Sequence, residues 1–175
     1  MLYRICELIW PDIDALYRSF ERIDPLENWT WGLSLIALTM ITHAAGVVFI
    51  ALALHKIWVR VENQSIALRR VFVILISVIG TAGLLLAVLH GVEAGFWAAA
   101  YWWVGALASP EQATLYSVDS ISTRGASGLA LPQHWRILGA LEAVDGMLLF
   151  GISTAFIFAL MQGYWPLFTA RRQPR

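Results

Sequence analysis

Ionisable side chains are rare inside the apolar runs of this 175-residue chain, so each one found there is a candidate for chemistry. His90 and Glu93 stand at (i, i+3), which puts an imidazole and a carboxylate on one helix face, a spacing that suits a metal, a proton relay or an inter-helix hydrogen bond. Glu142 and Asp145 stand one helical turn apart and are followed by Gly146 and Gly151. Carboxylates at such depth face protein or water, because lipid offers them no partner. His43 lies in the middle of another apolar run, where a lone histidine is expected to hydrogen-bond to a neighbouring helix. A metal or haem site joining His43 to His90 needs both at one depth on facing surfaces, which the spacing does not dictate, so no metal or other cofactor is expected. Cys6 is the single cysteine and allows no internal disulfide. The sequence carries no nucleophile elbow, phosphate loop or zinc motif, and no enzymatic activity is expected.

The elements that position these residues flank one polar stretch, Glu111 to Leu131, which is too hydrophilic to cross a bilayer yet sits between two long apolar runs. Its first half predicts a short helix over 110–123, with Pro110 suited to a first-turn position and Glu111 near the positive end of the helix dipole. Its second half holds Gly125, Ala126, Ser127 and Gly128, small residues that favour irregular backbone. Such backbone is tolerated at membrane depth only when buried in protein or lining a water-filled cavity, so the pattern predicts a re-entrant element. Arg124 falls within it and needs a carboxylate partner in a low-dielectric setting. Asp119 is the nearest in sequence, and Glu142, Asp145 and Glu93 are further candidates.

Three linked segments carry a family resemblance. Ala113 to Ser127 (ATLYSVDSISTRGAS) resembles the pore helix and selectivity filter of the potassium-channel superfamily, in particular its small bacterial members. His134 to Ala159 (HWRILGALEAVDGMLLFGISTAFIFA) and Glu93 to Ala106 (EAGFWAAAYWWVGA) resemble the helices that follow and precede that pore element, so the likeness covers roughly residues 90 to 165. The resemblance implies an all-α integral membrane protein of potassium-channel-like architecture in a bacterial inner membrane. It implies a homotetramer whose backbone oxygens replace the water shell of a monovalent ion, and it suggests Gly146 or Gly151 as a gating hinge. Close helix packing is the other reading of either glycine. Where the family has T-T-L-G-Y-G, this chain has Ser122, Thr123, Arg124, Gly125, Ala126 and Ser127. The tyrosine and second glycine are gone, so weak, altered or absent potassium selectivity is expected. The alternative is a non-conducting channel-like scaffold, regulator or sensor whose centre is locked by Arg124 and its carboxylates.

Composition agrees with a membrane protein: 59% of residues are hydrophobic, 14% are charged and the mean hydropathy is +0.66. A formal net charge of zero excludes a strongly basic nucleic-acid binder. Residues 1–28 predict an amphipathic segment at the outer interface, with Ile13, Leu16, Tyr17, Phe20 and Ile23 at helical spacing, and no cleaved signal peptide is expected. Transmembrane helices are expected over 29–58, 71–108 and 136–165, with the pore helix and filter-like loop over 110–131. The second of these runs is about 57 Å long if wholly helical at ~1.5 Å per residue, so it must tilt, protrude or break, and Gly91 and Gly95 are the expected bending points. Lys56, Arg60, Arg69 and Arg70 in one loop, and Arg171, Arg172 and Arg175 in the tail, place both on the cytoplasmic side with the N-terminus outside.

Overall fold

The computed structural model describes residues 25–62, 68–125 and 128–164. The amphipathic stretch expected before residue 25, Cys6, the basic tail, and the filter positions Ala126 and Ser127 lie outside the described residues. Helix α1 runs Pro25–Glu62, α2 Leu68–Trp103, the short α3 Pro110–Ile121, and α4 Arg136–Tyr164 after a 3-10 turn at Gln133–Trp135. Three of these, α1, α2 and α4, are long and apolar enough to cross a membrane. The described residues contain no strand.

Each long helix is apolar around its whole circumference, and burial selects one stripe of it. On α1 the stripe reads Asn28, Leu35, Thr39, His43, Ile50 and Leu54, with steps of four or seven that return to the same face. The opposite face leaves Ile41, Phe49 and Leu52 exposed at 61% or more, a surface suited to lipid or to another copy rather than to water. On α4 the buried stripe runs Leu138, Leu141, Glu142, Asp145, Leu149 and Ser153.

The long run from residue 71 does not break at its glycines. Helix α2 passes uninterrupted through Gly91 and Gly95, both of which face open space. It begins at Leu68 and stops at Trp103, short of the expected residue 108, because Gly105 takes φ +70 and closes the helix. Its N–H reaches the Trp102 carbonyl at 3.1 Å and the Ala106 N–H reaches that of Tyr101 at 2.9 Å, a Schellman cap. After this turn Ser109 caps α3 by accepting from the Gln112 N–H at 3.2 Å, and Pro110 occupies the first helical turn. Twelve residues make α3 about 18 Å long at ~1.5 Å per residue, too short to span a bilayer.

Two apolar clusters stack along the bundle. One gathers Trp97, Tyr101, Ala113, Leu131, Trp135 and Leu138 around α3, and the other gathers Ile50, Leu54, Val78, Ala82 and Leu86, with Phe156 and Leu160 of α4 packed against it. Asn28 ties the starts of α1 and α4 together: its Nδ2 donates to the His134 carbonyl at 2.7 Å, and its Oδ1 accepts the Leu138 N–H at 3.2 Å. That N–H belongs to the first turn of α4 and has no partner within its own helix, so a side chain from α1 caps it.

Candidate functional site

The end of α3 and the loop after it hold the filter-like residues. The Thr123 N–H bonds to the Ser120 carbonyl at 2.9 Å and the Arg124 N–H to that of Asp119 at 3.0 Å, a second Schellman cap. Here the left-handed position is filled not by glycine but by Thr123, at φ +57. A β-branched residue in that region is a strained outlier, and such strain is held where surrounding structure over-determines it. Gly125 and Gly128 continue the loop at φ +81 and +79. Ser122, Thr123, Arg124 and Gly125 are all exposed, and the Ser122 hydroxyl donates to the Asp119 carbonyl at 3.1 Å.

The cap also settles where Arg124 points. A Schellman turn brings the side chains of its first and last hydrogen-bonded residues together, usually as an apolar contact. In this turn they are Asp119 and Arg124, and the guanidinium Nη1 lies 3.2 Å from Asp119 Oδ1. Asp119, in the last turn of α3, is buried, while the arginine remains 68% exposed. Helix α3 ends at Ile121, two residues before the expected boundary, because this turn begins at Ser122.

The other carboxylates proposed for Arg124 lie wholly buried with donors of their own. Glu142 Oε2 accepts from the Tyr101 hydroxyl at 2.7 Å, and Oε1 meets the Ser117 hydroxyl. Ser117 also reaches the Ala94 carbonyl at 2.7 Å, so this one side chain joins α2, α3 and α4. Asp145 Oδ2 accepts from Thr39 at 2.7 Å and from the Trp97 indole N–H at 2.9 Å, while its Oδ1 is buried without a hydrogen bond. No family model, curated protein or solved structure matches this chain.

Gly146 and Gly151, the two candidate hinges, have different surroundings. A Cβ on Gly146 would collide with the Ile121 carbonyl, so this glycine lets the end of α3 lie directly on α4. Gly151 faces open space. Both sit within an unbroken helix.

A further group was not legible as a unit in the sequence. His43 on α1 and His90 and Glu93 on α2 meet between the two apolar clusters, with Ser153 of α4 beside them. His43 Nδ1 lies 2.9 Å from Glu93 Oε1, and His90 Nδ1 lies 3.1 Å from Glu93 Oε2. The Ser153 hydroxyl lies 3.2 Å from His43 Nε2 and 3.0 Å from His90 Nε2. His43 and Glu93 are fully buried, and the imidazole centroids are 5.2 Å apart. The requirement for a site containing both histidines, equal depth on facing helices, is thus met. The (i, i+3) pair was visible in the sequence, but the arrival of His43 and Ser153 was not.

Proposed function

We propose that this chain is a pore-forming membrane protein whose copies, four in number by the family resemblance, meet around the loop that follows α3. In this reading α3 is the re-entrant pore helix, the bacterial inner membrane is the host, and the basic tail faces the cytoplasm. The observation that carries it is the end of α3: a helix too short to span, seated on α2 and α4, that stops in an exposed loop of left-handed residues at Thr123 and Gly125. The carbonyl end of such a helix carries partial negative charge, which favours a cation in front of it. The Asp119 carboxylate beside Arg124 offsets the guanidinium that would otherwise oppose that effect. Loss of the family's tyrosine and second glycine supports weak or altered selectivity.

A second reading, a channel-like scaffold that does not conduct, is supported by the same arginine, since the copies of Arg124 would crowd any shared axis. Recording from proteoliposomes under asymmetric potassium, sodium and chloride separates the readings, because the reversal potential distinguishes cation, anion and silent cases. The expected result is flux with little preference for potassium over sodium, from an oligomer detected by cross-linking. Strong potassium selectivity would refute the degenerate-filter reading, and silence from an intact oligomer would favour the scaffold. Replacing Arg124→Leu together with Ala126→Tyr and Ser127→Gly should raise potassium flux. No gain, with the oligomer preserved, would count against a filter role for the loop.

A further inference from the structure

The proposed pore makes no use of the His43, His90 and Glu93 cluster. One ligand atom from each of the three lies within 4.8 Å of the others. Both imidazoles present Nδ1 to the same carboxylate and Nε2 to the same hydroxyl. Ordinary hydrogen bonds among neutral rings leave this arrangement one proton short. Ser153 has a single proton for two ring nitrogens, so one ring must donate from Nε2 and, if neutral, would turn a bare Nδ1 lone pair toward the carboxylate. Glu93 Oε2 is buried and has no hydrogen bond, although it lies 3.1 Å from His90 Nδ1. Either a second proton on one imidazole or a metal cation held between the three side chains removes the conflict, and the titration below separates the two.

We propose that His43, His90 and Glu93 bind a divalent first-row transition-metal ion of the zinc class between α1 and α2, with Ser153 of α4 orienting both imidazoles. Two histidines and a carboxylate form a common donor set for such ions, and imidazole nitrogen and carboxylate oxygen suit zinc, cobalt and nickel. With bonds of about 2.0–2.2 Å, a tetrahedral ion separates neighbouring ligand atoms by roughly 3.3–3.5 Å. His43 Nδ1 faces Oε1 at 2.9 Å and His90 Nδ1 faces Oε2 at 3.1 Å, so an ion seated between the rings meets both oxygens of Glu93, and each of these distances needs to open by a few tenths of an ångström. With Nδ1 on the metal, each ring carries its proton on Nε2, and Ser153 Oγ accepts both. Metal-bound histidines commonly have an outer acceptor of this kind. Glu93 supplies one negative charge to the ion.

The test uses the full-length protein in detergent micelles, stripped by a chelator and titrated with cobalt(II), whose visible absorption reports its coordination, followed by displacement with zinc. The expected result is one ion per chain, with the cobalt spectrum lost in Glu93→Gln and His43→Ala. His134→Ala, an exposed histidine outside the cluster, should bind as the parent does. Because His43→Ala could unfold the bundle, Ser153→Ala serves as the gentler variant and should weaken binding about 10–100-fold while circular dichroism stays unchanged. Absence of stoichiometric binding by the folded parent, or binding that survives Glu93→Gln, would overturn the proposal. Neither outcome depends on ion flux, so the pore reading stands or falls separately.

Discussion

Replacing Gly146 with alanine tests whether this glycine is a contact or a hinge. The added Cβ meets backbone at the Ile121 carbonyl, not the yielding end of a long side chain. Helix α3 must therefore move off α4, or α4 must bend. Overpacking of this kind costs about 1–3 kcal/mol, at the upper end where backbone must shift. Alanine returns about 1 kcal/mol of helix propensity, leaving about 2 kcal/mol of net destabilisation. For a chain of this length that corresponds to a fall of roughly 4–8 °C in Tm. Gly151→Ala is the matched control. Its Cβ enters open space, so only the propensity gain of about 1 kcal/mol remains and Tm should rise by roughly 2–4 °C. Thermal unfolding in detergent, followed by tryptophan fluorescence, reads both. A Gly146→Ala variant as stable as the parent would show that α3 does not rest on α4 at Ile121, and the close-packing argument would fail.

Thr123→Gly should stabilise the protein by about 1 kcal/mol, read in the same assay, because it relieves a left-handed β-branched residue. Asn28→Ala removes both the donor to the His134 carbonyl and the cap on the Leu138 N–H, and should cost about 1–3 kcal/mol. Tyr101→Phe leaves Glu142 Oε2 without its hydroxyl donor and should cost about 1–3 kcal/mol. Asp119→Asn should shift the reversal potential toward that of chloride by unmasking Arg124.

The long helices were legible in the sequence because helix hydrogen bonds are local and apolar runs of this length announce themselves. The predicted start of α3 at Pro110 rested on equally local chemistry, and the Ser109 cap fits the same logic. Asp119 is nearest to Arg124 in sequence, and the cap that joins them links residues only five apart. Two features of α2 went differently. The sequence predicts bends at Gly91 and Gly95, but both face open space in an uninterrupted helix, and what ends it is the left-handed Gly105.

What only the tertiary structure decided is depth. His43 meets Glu93 across 50 residues, His90 meets Ser153 across 63, and His43 meets Ser153 across 110. The sequence periodicity does not mark the buried face, because each long helix is apolar around its whole circumference. It carries no information on how far one helix slides along another, because that register is set by packing between helices. Contacts such as Gly146 on the Ile121 carbonyl and Asn28 on the first turn of α4 help fix the register. They place two imidazoles, a carboxylate and a hydroxyl at one level of the bundle.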